Sequence, residues 1–353
     1  MKKILLATTM LASVAGYAAA DVAVSGDARM GVISTEGNSI FDSRVRIKFS
    51  GSGTTDGGLA FGGSIRADNA GDGADGTAGS VFISGAFGKI SMGDVDSGDK
   101  AAVGQLASVG YEGLGSGNSI SYTADGGFLG GLEDSLDNWG GPDGGFELFD
   151  LSGSDGAKVL YTYSAGALTV NASTAQLSNG GANHEAYGLG VSYTAGALTL
   201  AGGYGTTTMD GYVWDYWWEE DYAVTGSITD VSASATYVMG DTTIKAIYQD
   251  KTIDATYDAY YDDHDGEIAS AVSMGASVVH KIDAISLTAY AITTDVSSDW
   301  IGFDVSVNRM GVGVGYDLGG GATFQAGWAE VEGVSDEETV SQSAFDAGVN
   351  FSF

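Results

Sequence analysis

The segment Ser43-Arg44-Val45-Arg46-Ile47-Lys48-Phe49 sets cations and apolar side chains in strict alternation. A period of two puts Arg44, Arg46 and Lys48 on one face of a strand and Val45, Ile47 and Phe49 on the other. Three successive cations do not make a packed core, because unpaired buried charge is too costly. Two architectures remain. Either the apolar face covers a core and the cations meet bulk water, or the apolar face meets lipid and the cations line water inside a barrel.

The flanking sequence repeats the pattern. In Val22–Ile33, Asp27 and Arg29 share one face, opposite Val22, Val24, Met30 and Val32. Leu59–Asp68 sets Arg66 and Asp68 against Phe61 and Ile65. Asp56-Gly57 is a strong hairpin signal between these strands. Ser80–Ala86 and Lys89–Gly93 form another hairpin. After residue 157 a paired unit recurs: 159–163 with 168–172, 190–194 with 198–204, 232–239 with 242–249, 270–281 with 285–292, 305–317 with 322–328, and a last strand over 344–353. Short turns such as Ala165-Gly166-Ala167 and Gly319-Gly320-Gly321 lie on one side. Longer acidic loops over 209–221, 251–267, 296–303 and 332–340 are expected on the other. About sixteen strands with this turn asymmetry are the signature of a transmembrane barrel. Val159, Tyr161, Tyr163, Val312, Val314, Tyr316, Phe345, Val349 and Phe351 take the outward phase, and Ser, Thr, Gly, Asn and Gln dominate the other. A soluble sandwich would carry more Lys and Glu on its wet face.

Periodicity stops between Asp94 and Gly156, a stretch rich in Gly, Asp and Glu that holds the one proline, Pro142. An irregular segment this long is functional or disordered. Within it, 119–123 reads as a short strand and 132–139 as a helical turn.

Composition supports an exported membrane protein. Lys2-Lys3, the apolar run Ile4–Val14 and Ala18-Ala19-Ala20 form a removable signal peptide over 1–20, which leaves 21–353 as the barrel. Its loss removes two lysines and no acid, so the net charge falls from −32 to −34. Such a chain repels nucleic acid. There is no cysteine, hence no disulfide and no thiol chemistry. No run of eighteen apolar residues follows the signal, so any membrane crossing must use a closed barrel.

Ser25–Gly31, Thr54-Thr55-Asp56-Gly57-Gly58-Leu59, Phe82–Lys89, Tyr161–Gly166, Tyr316–Gly321 and the terminal Phe351-Ser352-Phe353 resemble the general porins of the Rhodobacter type, the alphaproteobacterial porin family. The likeness keeps its order over the whole mature chain. It implies an all-β, 16-stranded antiparallel barrel in the Gram-negative outer membrane, assembled as a homotrimer among lipid and lipopolysaccharide. It implies a third loop, 94–156, folded inward to narrow the pore, and Phe353 as the assembly signal.

The function so read is passive diffusion of ions and small hydrophilic solutes, with no enzymatic activity. Arg29, Arg44, Arg46, Lys48 and Arg66 are the expected pore-lining cations. Asp94, Asp96, Asp99 and Glu112 of the loop are expected to face them and set up a transverse field. The bland reading pairs the arginines with Asp27 and Asp68 as a satisfied wall. The acid excess points to cation preference. No cofactor is required. Ca²⁺ is held open at Asp94, Asp96 and Asp99 and at the acids of 254–267, against the simpler reading of solvated loops. A sugar-type porin or surface-binding barrel, with Trp214–Glu220 as an aromatic platform, is the runner-up. A soluble acidic adhesin and a barrel hydrolase using His184, His264 or His280 are weaker. The Gly71–Gly76 stretch fits a phosphate-loop pattern, but no helix follows it.

Overall fold

The computed structural model describes residues 21–70, 79–125, 158–179, 182–215, 220–259, 262–298, 302–335 and 339–353. Sixteen strands follow one another: β1 Asp21–Thr35, β2 Asn38–Thr54, β3 Ala60–Ala70, β4 Ser80–Gly85, β5 Gly88–Gly93, β6 Lys158–Ala165, β7 Leu168–Asn179 and β8 Ala182–Ala195. Then come β9 Leu198–Asp215, β10 Glu220–Met239, β11 Thr242–Ala259, β12 Asp262–Ile282, β13 Ile285–Ser298, β14 Phe303–Gly319, β15 Ala322–Ser335 and β16 Thr339–Ser352. Each pairs antiparallel with its neighbour in sequence, and β16 pairs with β1, so the sheet is a closed barrel. Closure leaves no strand edge, which is what lets a β-structure cross lipid. The seam is finished by Phe353, whose carbonyl accepts the Gly26 N–H at 2.7 Å and whose N–H donates to the Gly26 carbonyl at 2.9 Å.

The alternation resolves as read. Val45, Phe49, Phe61, Ile65, Val191, Tyr193, Val312, Val314, Tyr316 and Phe345 stand exposed on the outer surface. No second sheet covers these valines, isoleucines, phenylalanines and tyrosines, since the described strands form one closed sheet. The turns over Gly166-Ala167, Gly196-Ala197 and Gly240-Asp241 use glycine at φ 61°, 61° and 57°, a left-handed geometry that a Cβ disfavours.

Two expectations change. The connections opposite the short turns are shorter than read: β9 continues to Asp215, β11 to Ala259, β13 to Ser298 and β15 to Ser335. Above the bilayer both faces of a strand meet water, so the apolar alternation fades while the backbone ladder continues. The first of these connections is only Glu36-Gly37. Finally, 119–123 is not a strand. A six-residue helix, α1 over Gly98–Val103, and 3₁₀ turns at Leu114–Ser116 and Thr123–Asp125 occur in this region instead. Six helical residues are too few to leave a 3.6-residue period in the sequence. The segment 132–139 lies outside the described residues, as do 1–20.

The lumen is not lined by water alone. Val103, Leu106, Val109, Leu114, Ile120 and Tyr122 pack on Ile247, Tyr290, Ile292 and Ala329 of the inner wall. Residues 94–125 thus carry the main apolar cluster, inside the strands. Room for them comes from glycine. A Cβ at Gly203 of β9 would lie 2.8 Å from the Asp99 Cβ, and one at Gly311 of β14 would lie 2.8 Å from a Val109 methyl. A Cβ at Gly348 of β16 would meet the Tyr111 ring.

Candidate functional site

Strand register brings the predicted cations together. Arg29 stands opposite Arg44, Asp27 opposite Arg46, and Lys48 between Ser25 and Arg66. All five cations project from β1, β2 and β3 into the lumen. Acids of the same wall hold four of them, all but Lys48. Arg46 Nε donates to both Asp27 oxygens, at 2.8 and 3.1 Å. Arg66 donates from Nε and Nη2 to Asp68 at 2.6 and 2.8 Å. Arg44 Nη2 approaches Asp27 at 3.9 Å. Arg29 behaves differently. Its Nε meets Asp42 and its Nη2 meets Glu112, each at 2.8 Å, and its guanidinium lies 5.7 Å from the centroid of the Tyr111 ring. Arg29 therefore ties the wall to the inner segment.

The four loop acids separate. Glu112 faces the arginines, as just described. Asp94 is exposed, within electrostatic reach of Arg66. Asp96 pairs with Lys100 at 3.0 Å, one helical turn away. Asp99 does not face the arginines. It is 0% exposed, on the far side of the ring of strands, beneath Gly203 and Gly205 of β9 and close to Asp230 of β10. Helix α1 turns Asp99 and Val103, four residues apart, onto the wall together. Burial, and then the Asp230 charge, push the Asp99 carboxyl up to about 7.

The groups that hold the inner segment were not visible in the sequence. The Asp346 carboxylate of β16, 0% exposed, accepts the backbone N–H groups of Tyr111 and Glu112 at 2.9 and 3.1 Å. Asp230 accepts the Thr123 N–H at 2.8 Å. Gln249 donates to the Ser121 carbonyl at 2.7 Å, and Arg309 donates to the Ser119 carbonyl at 3.0 Å. The Lys245 ammonium reaches the Val103 carbonyl, while Lys100 and Lys158 converge on Asp125. An irregular backbone must satisfy its donors and acceptors. Here the inward polar residues of the strands do so. Their only sequence signal was inward phase, since the partners of Asp230, Lys245, Gln249, Arg309 and Asp346 lie more than 100 residues away.

A profile of the Gram-negative porin family matches residues 7–352. The chain belongs to that family. A porin of Rhodobacter capsulatus is 33% identical over 344 residues, covering 94% of this chain and all of the relative. A solved porin structure, refined at 1.8 Å, superposes with a TM-score of 0.65 at 29% identity, over 94% of this chain and 100% of its own. The trimer form of OmpT from Vibrio cholerae superposes with a TM-score of 0.68 at 18% identity, over 95% of this chain and 100% of its own, a likeness of fold alone.

This porin is a passive diffusion channel of the Gram-negative outer membrane, not an enzyme. The other candidate residues sit elsewhere. The His280 ring meets the Thr242 hydroxyl at 2.8 Å, exposed at the short-turn end. The side chains of His184, His264 and 211–220, and residues 71–76, lie outside the described set. Among the described residues, no three of His, Asp and Glu gather in a metal-sized cluster, and Asp94, Asp96 and Asp99 are not brought together.

Proposed function

We propose that this porin is cation-preferring, with its constriction formed between the arginine wall of β1–β3 and the inner segment of the third loop, 94–156. The Arg29–Glu112 bridge at 2.8 Å carries the reading. It brings an inner-loop acid into contact with the strand cations, so the opening beside it is bordered by both signs. Charge of opposite sign across a narrow opening orients water and dipolar solutes and excludes apolar ones. The net charge, −34 without the two lysines of residues 1–20, makes the entrance attractive to cations. Residues 1–20 act as the export signal, and Phe353 as the assembly signal.

The assembly is a homotrimer. β4 and β5 have six residues each, whereas a tilted strand needs about 9–11 to cross the apolar layer. A wall that short does not span lipid unaided. Its outer face carries Val81, Ile83, Ile90 and Met92, all exposed, beside a groove lined by Val22, Phe49 and Ile65. A second copy of the chain is the natural cover.

Planar-bilayer recording tests the pore. A salt gradient is expected to give a reversal potential of the cation-selective sign. Changing Arg29, Arg44, Arg46 and Arg66 together to glutamine is expected to raise cation preference and alter single-channel conductance. Unchanged values for both would remove the arginines from the constriction.

A further inference from the structure

The inner face of the β4–β5 hairpin and the residues that follow it carry charge that the Arg29–Glu112 contact does not use. Register pairs Ser84 with Lys89, Phe82 with Ser91, and Ser80 with Gly93. Val81, Ile83, Ile90 and Met92 take the outward phase, so Phe82, Lys89 and Ser91 face the lumen. The Lys89 ammonium lies 4.7 Å from the centroid of the Phe82 ring, and no acid pairs with it among the described residues. Asp94 follows at the end of β5, held by its N–H donating to the Gly79 carbonyl at 2.8 Å. Its carboxylate is exposed and has no ion pair among the described residues, whereas neighbouring Asp96 is held by Lys100. Lys89, Phe82, Ser91, Leu160, Asp94 and Asp96 line one recess of about 310 Å³.

We infer that this recess is a binding step for free zwitterionic amino acids with an apolar side chain, resting on the reading of the lumen as a solute path. Lys89 takes the carboxylate, Asp94 takes the ammonium, and Phe82 and Leu160 take the side chain. The spacing selects the length. Lys89 leans to the level of Ser91, and Asp94 lies three residues further, roughly 10 Å at the strand rise. A free amino acid is about 3.5 Å long, and an ion pair of about 2.8 Å at each end brings the span to about 9 Å. A dipeptide, about 7 Å extended, needs about 13 Å on the same count and overshoots. The recess volume is at the small end of the range for ligand pockets, about 300 Å³. It suits a transient stop. An open, wet site holds a solute long enough to raise its occupancy in the channel and still releases it.

Current blockade by added solute in planar bilayers separates this inference from the pore reading. The probes are free phenylalanine, N-acetyl-phenylalanine amide and leucyl-phenylalanine, each scored by half-blocking concentration. Free phenylalanine is expected to block at least about tenfold more tightly than the capped form, the scale of one charged hydrogen bond. Lys89→Gln and Asp94→Asn are each expected to weaken free phenylalanine by about tenfold and leave the capped form unmoved. Phe82→Ala is expected to weaken both. Equal blockade by free and capped phenylalanine, or no effect of Lys89→Gln, overturns the site while the channel stands. Tighter blockade by leucyl-phenylalanine overturns the amino-acid assignment. Absence of any channel current removes the pore reading, and the site with it.

Discussion

A Cβ placed on Gly205 would sit 2.7 Å from Asp99 Oδ2 and 2.7 Å from Asp230 Oδ1, so the two carboxylates share one small space under β9. Neither Asp99 oxygen receives a well-formed hydrogen bond, although the Ser97 hydroxyl and the N–H groups of Asp99 and Lys100 lie near enough to favour the ionised form. Two like charges in a dry site do not both ionise readily.

The pH dependence of the inner segment follows. Seated on the wall, Asp99 keeps its proton up to about pH 7; free in water a carboxyl loses it near pH 3.9. The seated form therefore binds the extra proton. Its stability is complete below about pH 4, falls as pH rises, and levels off once pH passes about 7. Tyr122, also packed there, stays neutral throughout, raised by burial and then by the Asp99 and Asp230 charges. Hydrogen exchange of the amides of 98–125, corrected for intrinsic rate, is expected to show lower protection at pH 8 than at pH 5. Asp99→Asn is expected to abolish the difference. An equal loss of protection in the variant would place the titration elsewhere.

Glycines of β9 give a paired test. Gly203 faces inward, where a Cβ would lie 3.0 Å from the Asp99 Cα. Gly202 faces outward, where the nearest atom to a Cβ is 3.9 Å away. Gly203→Val is expected to push α1 off the wall and change single-channel conductance. Gly202→Val is expected to leave conductance at the wild-type value. If both substitutions have the same effect, the seat on β9 is not what positions α1.

Asp346 is the anchor on the other side. Asp346→Ala leaves the Tyr111 and Glu112 N–H groups buried without an acceptor, at a cost of about 1–3 kcal/mol for each unmet group. The segment around Glu112 is then expected to exchange faster, and the Arg29 bridge to loosen. Asp346→Asn keeps an acceptor oxygen and is expected to retain most of the protection. Limited proteolysis of the folded barrel measures the same order without labelling.

Phe353 closes the seam through both of its backbone groups. Deleting it removes two ladder bonds at the point where the first and last strands must meet. Folded barrel, scored as the heat-modifiable band on a gel, is expected to fall several-fold in yield. Phe353→Tyr, which keeps backbone and ring, is expected to restore it.

The barrel and its two faces were legible because alternation is local: the Arg44 to Phe49 stretch alone assigns six side chains to water or to lipid. The basic wall was legible for the same reason, since β1, β2 and β3 follow one another and their register is set by short connections. The fate of the loop acids was not. Whether Asp99 faces the lumen or the wall is decided by one turn of helix and by glycines about a hundred residues downstream. Asp346 reads in sequence as one more polar inward residue, and its two partners are more than 230 positions away. The strand tops were missed because a strand with water on both sides carries no hydrophobic signature.

Those overlong strands give the molecule a slanted rim. β12 runs for twenty-one residues and β5 for six; at the usual rise and tilt, that is about 50 Å of wall against about 15 Å. Among the described residues the wall is therefore low on one side and tall on the other. In the proposed trimer, three low edges set together would tilt the channels towards a single antechamber, so that solutes turned away by one channel would arrive first at the next.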